Sequence, residues 1–229
     1  MRGADVARQT ASSQAPAAAG GGSAGADTVT RMKDYYEELW ERLPADLAVP
    51  DLALRRSFLL EQVRPGDRAL DLGCGAGAFT ALLAGAGATA IGVEVAEAAV
   101  RRARDEHPGI DFRLAELNGE LPLEDSSFEI VWASEVIEHV ADTARWLSEV
   151  RRVLVPGGRL LVTTPDHPRL ALALRGIERY SDPLGDHLHL YTRRSLGRLL
   201  DEFGFGEITI RAGGGIPGWR TTLLARGAR

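Results

Sequence analysis

Residues 69–79, Ala-Leu-Asp-Leu-Gly-Cys-Gly-Ala-Gly-Ala-Phe, constrain the fold more than any other stretch of the chain. Ala69 to Leu72 reads as a short buried strand with Asp71 near its carboxyl end. Gly73, Gly75 and Gly77 then remove the side chain from three alternate positions. From Ala78 the apolar spacing turns helical, through Phe79, Leu82 and Leu83. A strand, a glycine turn and a helix in that order bring bare backbone up to a ligand at the carboxyl edge of a sheet. Strand-like runs follow at 90–94, 110–114, 128–133 and 159–164, with helical patterns at 96–106 and from Asp142 onward. That rhythm with short links implies parallel strands joined by right-handed crossovers.

The charge around the turn narrows the ligand. A dinucleotide needs a helix N-terminus aimed at its pyrophosphate. Gly73, Gly75 and Ala78 satisfy a loose GxGxx[GA] spacing, so the glycines alone do not decide. Asp71 beside the turn repels an anion and suits a cation; its other reading is a cap on the following turn. Glu94 closes the next strand, where a carboxylate can take both hydroxyls of a ribose, and a dinucleotide site would have the same feature. S-adenosylmethionine (SAM) carries sulfonium and ammonium groups and no phosphate, and it satisfies both acids.

The motifs run in order as Leu70-Asp71-Leu72-Gly73-Cys74-Gly75-Ala76-Gly77, Gly92-Val93-Glu94, Leu121-Pro122-Leu123-Glu124-Asp125-Ser126-Ser127-Phe128-Glu129-Ile130-Val131, Glu135-Val136-Ile137-Glu138-His139-Val140 and Leu154-Val155-Pro156-Gly157-Gly158. Together they resemble the class I SAM-dependent methyltransferases, type 11/23-like and similar to the ubiquinone-pathway O-methyltransferases, from about Ser57 to Leu224. The resemblance implies an α/β, Rossmann-like fold: a seven-stranded, mostly parallel sheet of order 3-2-1-4-5-7-6 with helices on both faces. It implies SAM held by Asp71, Gly73, Cys74, Gly75, Gly77 and Glu94. It also implies an acid against the adenine amino group at Glu116, where the family more often has Asp, and backbone contacts from Leu117. A leading helix covers the cofactor in such proteins, which would bring Tyr35, Tyr36 or Trp40 to cofactor or substrate. The residues themselves show only a helix from Thr28 to Leu43 with Tyr35, Tyr36, Leu39, Trp40 and Leu43 on one apolar face, as any packed helix has.

Methyl transfer from a sulfonium is an in-line displacement in which the protein aligns donor and acceptor and removes a proton. The end of the strand at 128–133 lies at the ligand crevice, which puts Ser134 and Glu135 at the methyl-donating end. Glu135, Glu138 and His139 stand at i, i+3 and i+4 and share a face if the segment is helical. Two carboxylates and an imidazole suit Mg²⁺ or a similar divalent ion, which lowers the pKa of a bound hydroxyl. Metal-using branches of the family carry this ExxEH pattern. The RNA 2′-O-methylating branch adds a later histidine in a context that Asp186-His187-Leu188-His189-Leu190-Tyr191-Thr192-Arg193 resembles, with Tyr for Trp, making His187 a fourth ligand. Three readings of the pattern stand open: metal binding by Glu135, Glu138, His139 and His187; His139 with Glu138 as general base or substrate contact; and a structural role. His187 and His189 divide between the site and packing of the segment above it.

The remaining residues set the domain layout. Residues 1–27 are Ala, Gly and Ser-rich and read as a flexible N-terminal tail. Residues 28–229 read as one domain, with a helical cap over 28–63 and a lid insertion at 165–192 that holds Pro165, Pro168, Pro183 and three of the histidines. The net charge of −5 argues against a nucleic-acid-binding surface. Cys74 is the only cysteine, and no run approaches the ~18 apolar residues of a membrane span. The expectation is a cytoplasmic enzyme, able to form a homodimer, that methylates a hydroxyl of a small-molecule acceptor, phenol-like, catechol-like or natural-product-like. The alternatives are a metal-dependent RNA 2′-O-methyltransferase, an NAD(P)-binding oxidoreductase and a SAM-binding module without turnover.

Overall fold

The computed structural model describes residues 24–44, 51–116, 120–167, 187–215 and 221–229. The strands are β1 (Arg68–Leu72), β2 (Thr89–Glu94), β3 (Asp111–Leu114), β4 (Phe128–Ser134), β5 (Leu154–Pro165), β6 (Gly206–Gly213) and β7 (Thr222–Ala228). They form one seven-stranded sheet of order β3-β2-β1-β4-β5-β7-β6, the order expected. The β1–β2, β1–β4, β2–β3 and β4–β5 pairs are parallel, and β7 enters antiparallel between β5 and β6.

Alternation along β4 explains the layering. Successive strand residues point to opposite faces. Ile130 and Trp132 pack with Phe58 and Leu59 of α2 (Leu52–Leu60) and Leu83 of α3 (Ala78–Gly85). Val131 and Ala133 pack on the other face with Leu147, Val150 and Val153 of α5 (Thr143–Val153) and Leu196 and Leu200 of α6 (Arg193–Glu202). A strand covered on both sides reads as an unbroken apolar run, and β4 does. Among the described residues, the remaining helices are α1 (Ala24–Arg42) and α4 (Glu97–Glu106).

Element bounds differ from expectation at several ends. Helix α1 begins at Ala24, so the helix takes in the last residues assigned to the tail; Ala is the strongest helix former and no proline intervenes before Pro44. Strand β5 begins at Leu154 and not at Arg159, because Leu154 already pairs with Phe128 ahead of a register shift. Strand β7 runs to Ala228, which pairs with Arg159 on one side and Gly206 on the other. Leu117, Asp186 and most of the proposed lid (168–186) lie outside the described residues. Among the described residues, no helix is long and apolar enough to cross a membrane.

Candidate active site

The glycine turn at the end of β1 is built by close packing. Gly73 and Gly75 have φ of 78° and 53°, a region that favours glycine. A Cβ on Gly73 would lie 2.4 Å from Val136 Cγ2, and one on Gly75 would lie 2.7 Å from the Trp40 ring. The turn is thus pressed between the residue after β4 and the leading helix. Gly77 backs onto Phe112 and His107, and buried Cys74 packs with Val100, Ala103 and Phe112. Burial pushes the Cys74 thiol up, so it stays neutral.

Glu94 binds the turn from the end of β2. Its Oε2 accepts from Gly75 N at 3.1 Å, and its Oε1 accepts from Val95 N at 2.6 Å and Ala96 N at 3.2 Å. Burial raises its pKa, against which the backbone donors pull down. Asp71, 2% exposed, lies beneath the turn and does not line the cavity described below. Its Oδ2 accepts from Thr80 Oγ1 at 2.7 Å, and burial, with Glu94 adding to it, pushes the carboxyl up to about 7.

Above the turn opens a cavity of about 340 Å³, within the usual size of cofactor pockets. Tyr36, Leu39, Trp40 and Leu43 roof it. Gly73, Glu94, Glu116 and Ser134, from the strand ends, form its floor, with Val136, His139 and Val140 beside them. Asp142, Arg145, Trp146 and Glu149 of the α5 region close the far side. Of the aromatic residues proposed for the roof, Tyr36 and Trp40 line the cavity; Tyr35, 47% exposed, packs edge-on against Tyr36 instead. Helix α1 is docked by a contact that the sequence did not announce. The Glu37 carboxylate accepts from Glu97 N at 2.7 Å and Ala98 N at 2.8 Å, capping α4, whose own Ala96 offers no side-chain cap.

The segment after β4 is a turn, which corrects the helical reading of Glu135, Glu138 and His139. Glu135 takes φ 56°, and His139 N donates to Val136 O. The kink gives the two glutamates different partners. Glu135 accepts from Thr163 Oγ1 at 3.0 Å and lies 3.4 Å from Arg55 Nη2, away from the other three candidate ligands. Glu138 is fully buried; its Oε2 accepts from Thr164 Oγ1 at 2.9 Å, and its Oε1 has no hydrogen-bond partner. Burial, with Glu135 adding to it, pushes this carboxyl up to about 7.

Glu138, His139 and His187 converge: one ligand atom from each lies within 4.8 Å of the others. The His139 and His187 rings meet edge-on at 4.6 Å. His187 is delivered by backbone, since Leu188 N and His189 N both donate to Glu138 O. His189 is directed elsewhere. Its Nε2 donates to Val140 O at 2.9 Å and lies 3.2 Å from Thr143 Oγ1, so it ties the segment to the start of α5 and does not line the cavity. One buried carboxylate with an unsatisfied oxygen beside two imidazoles is a donor set that fits a divalent cation.

Arg55, Glu37, Thr163 and Thr164 escaped the sequence reading. Each acts across dozens of residues of chain, and no local spacing marks it. The one available signal was Arg55, a charge on the buried face of an otherwise apolar helix.

A cofactor cavity over a glycine turn at the carboxyl edge of this sheet defines a Rossmann-like class I methyltransferase. The family profile described as "Methyltransferase domain" matches residues 35–209. The chain belongs to that family of SAM-dependent methyltransferases. A probable S-adenosylmethionine-dependent methyltransferase of Mycolicibacterium smegmatis is 43% identical over 101 residues, 44% of this chain and 39% of that protein. A demethylmenaquinone methyltransferase of Clavibacter sepedonicus is 31% identical over 157 residues, 66% of this chain and 64% of that protein. The chain spans roughly half the length of the curated relatives it matches. In fold it is similar to the S-adenosylmethionine dependent methyltransferase of Mesorhizobium loti, with a TM-score of 0.63 at 22% identity, covering 80% of this chain and 99% of that one.

Proposed function

We propose that this chain transfers the methyl group of SAM to a hydroxyl of a small, partly apolar acceptor, of the phenol, catechol or natural-product kind. The observation that carries this reading is that His139, on which Glu138 and His187 converge, lines the same cavity as an aromatic roof. Tyr36, Leu39 and Trp40 offer an apolar wall to an acceptor, and His139 stands on the same cavity. SAM supplies a methyl on a sulfonium leaving group, so the C–S electron pair leaves with sulfur as the C–O bond forms. His139 is placed to take the proton from the acceptor oxygen, and buried Glu138, 3.9 Å from His139 Nε2, stabilises the imidazolium that results. Glu94 and Ser134 orient the cofactor along the strand ends.

Glu138, His139 and His187 are the residues that would hold a divalent metal, and such an ion would lower the pKa of an acceptor hydroxyl. Among the described lining residues, Glu94, Glu116, Glu135, Asp142 and Glu149 stand against one arginine, Arg145. That balance favours a cationic cofactor and disfavours both a pyrophosphate and an RNA backbone. The relative named for demethylmenaquinone gives a small-molecule acceptor as precedent.

The test is methyl transfer from radiolabelled SAM to a panel of phenols, catechols and aliphatic alcohols, alongside short RNA, with and without a chelator. Labelled small-molecule ether is the expected product, and label appearing in RNA would overturn the substrate class. Failure of calorimetry to detect S-adenosylhomocysteine binding would overturn the cofactor.

A further inference from the structure

Arg55 lies on the inner face of α2 at 5% exposure, where Phe58 and Leu59 of the same helix bury apolar side chains. Packing against the sheet gives no reason for a cation there, and a buried charge without a partner is costly. Arg55 Nη2 lies 3.4 Å from Glu135 Oε2 and Nη1 donates to Ser134 Oγ at 3.5 Å, while Nε has no hydrogen-bond partner.

The other half of the arrangement comes from β5. Thr163 and Thr164 are consecutive on a strand, so their side chains face opposite sides of the sheet. Thr163 donates to Glu135 and Thr164 donates to Glu138. Strand β5 thus assigns one carboxylate to each side. Two carboxylates this close in sequence would otherwise repel across a dry interior. Glu135 also holds φ 56°, a conformation that a glutamate keeps only when its surroundings impose it. Thr163 fixes it twice, through its hydroxyl and through its carbonyl, which accepts from Glu135 N at 2.8 Å.

We propose that Arg55 is a positioning residue for the turn after β4. Its pairing with Glu135 holds the left-handed kink and engages that carboxylate, so that Glu138 and His187 converge on His139, which lines the cavity. The proposal rests on the methyltransferase reading for its purpose and not for its geometry. Because the Arg55–Glu135 contact is a single loose one and no bidentate fork, a lysine can replace it in large part.

The experiment is NMR of the histidine rings in the full chain without cofactor, with thermal melts on the same samples. Arg55→Gln is expected to move the ring signals of His139 and His187, leave those of His107 in place, and weaken S-adenosylhomocysteine binding about tenfold. Arg55→Lys restores the His139 and His187 signals in large part. Arg55→Gln that lowers the melting temperature yet leaves both rings unmoved overturns the proposal and makes Arg55 a packing residue. If Arg55→Gln does not fold, Thr163→Val acts on the same carboxylate from its other side. It must move the same two rings, and silence from both overturns the proposal equally. A wild-type chain that does not bind S-adenosylhomocysteine strikes the methyltransferase reading alone, since the ring signals are read without it.

Discussion

Two pairs of acids, three of the four buried, flank the cavity, and they are held in opposite ways. Asp71 and Glu94 sit under the glycine turn, where Thr80 and three backbone N–H groups take their oxygens. Glu135 and Glu138 sit under the turn after β4. There Arg55 neutralises one, and the other keeps an oxygen with no hydrogen-bond partner. The first pair is held by the Thr80 hydroxyl and by nearby backbone before any ligand arrives. The second is left one partner short, which is how a protein keeps a place for a proton, a metal or a substrate atom. Burial raises the pKa of all four carboxyls, so the contrast lies in hydrogen bonding and not in desolvation.

The largest effect is expected where the finished pair is broken. Glu94→Ala strips the acceptor from Gly75 N, Val95 N and Ala96 N together, and each stranded donor costs about 1–3 kcal/mol. Binding of S-adenosylhomocysteine should weaken by at least about 100-fold in calorimetry, the equivalent of roughly 2.7 kcal/mol. Affinity within threefold of wild type would remove Glu94 from the cofactor site.

Gly73→Ala attacks the contact between the two pairs. The new Cβ would lie 2.4 Å from Val136, which sits between Glu135 and Glu138, and its φ of 78° is strained for alanine. A cost of about 1–3 kcal/mol follows. For a chain of this size that is a fall of about 5 °C in melting temperature. An unchanged melt would mean that the two turns move independently.

The same contrast explains what could be read in advance. The pair under the glycine turn lies close to its motif in the chain: Asp71 and Thr80 are nine residues apart, and Glu94 bonds to the two residues after it. Periodicity and glycine spacing reach that far, so the turn and both acids were legible, while the strand order came from the family resemblance. The second pair depends on Arg55, Thr163 and Thr164, with separations of 26 to 80 residues. Reading Glu135, Glu138 and His139 on helical spacing assumed local regularity. A left-handed residue at Glu135 cancels that assumption, and nothing in Glu-Val-Ile-Glu-His announces it. The histidines show the same division. His187 arrives because a backbone pair docks its segment on the Glu138 carbonyl, and that pairing also sends His189 to Val140.

Stability against pH separates the pairs more gently. Asp71 has a folded pKa of about 7 against an unfolded value of 3.8, so its contribution is fully present below about pH 4 and lost as pH rises through 7. The ligand-free chain should therefore melt several degrees lower at pH 8 than at pH 5. Asp71→Asn should flatten that slope while keeping a partner for Thr80. A slope unchanged by the substitution would show that Asp71 is ionised in the folded state at neutral pH.

Glu138→Gln should carry the opposite sign to Glu94→Ala. Removing a buried charge with an unsatisfied oxygen relieves desolvation, by about 1 kcal/mol at pH 8 and by little at pH 5, where the carboxyl is protonated. The variant should melt about 2–4 °C higher than wild type at pH 8 and equal to it at pH 5. Its affinity for S-adenosylhomocysteine should stay near wild type while methyl transfer fails. A variant that melts lower at pH 8 would mean that Glu138 is as fully satisfied as Glu94, and the distinction between the pairs would go.

The smallest effect tests the boundary of the unfinished pair. His189 lies two residues from His187 and its N–H shares the Glu138 carbonyl with that of Leu188, yet its ring serves Val140 O and Thr143 Oγ1. His189→Gln keeps a donor of similar reach, so the loss is one hydrogen bond of about 1 kcal/mol and about 2–4 °C of melting temperature. Cofactor affinity, the His139 ring signal and metal uptake should all be unchanged. If His189→Gln instead shifts the His139 ring as strongly as His187→Gln does, the cluster extends through the whole docked segment. The line between the group that does chemistry and the group that holds it in place would then fall past His189.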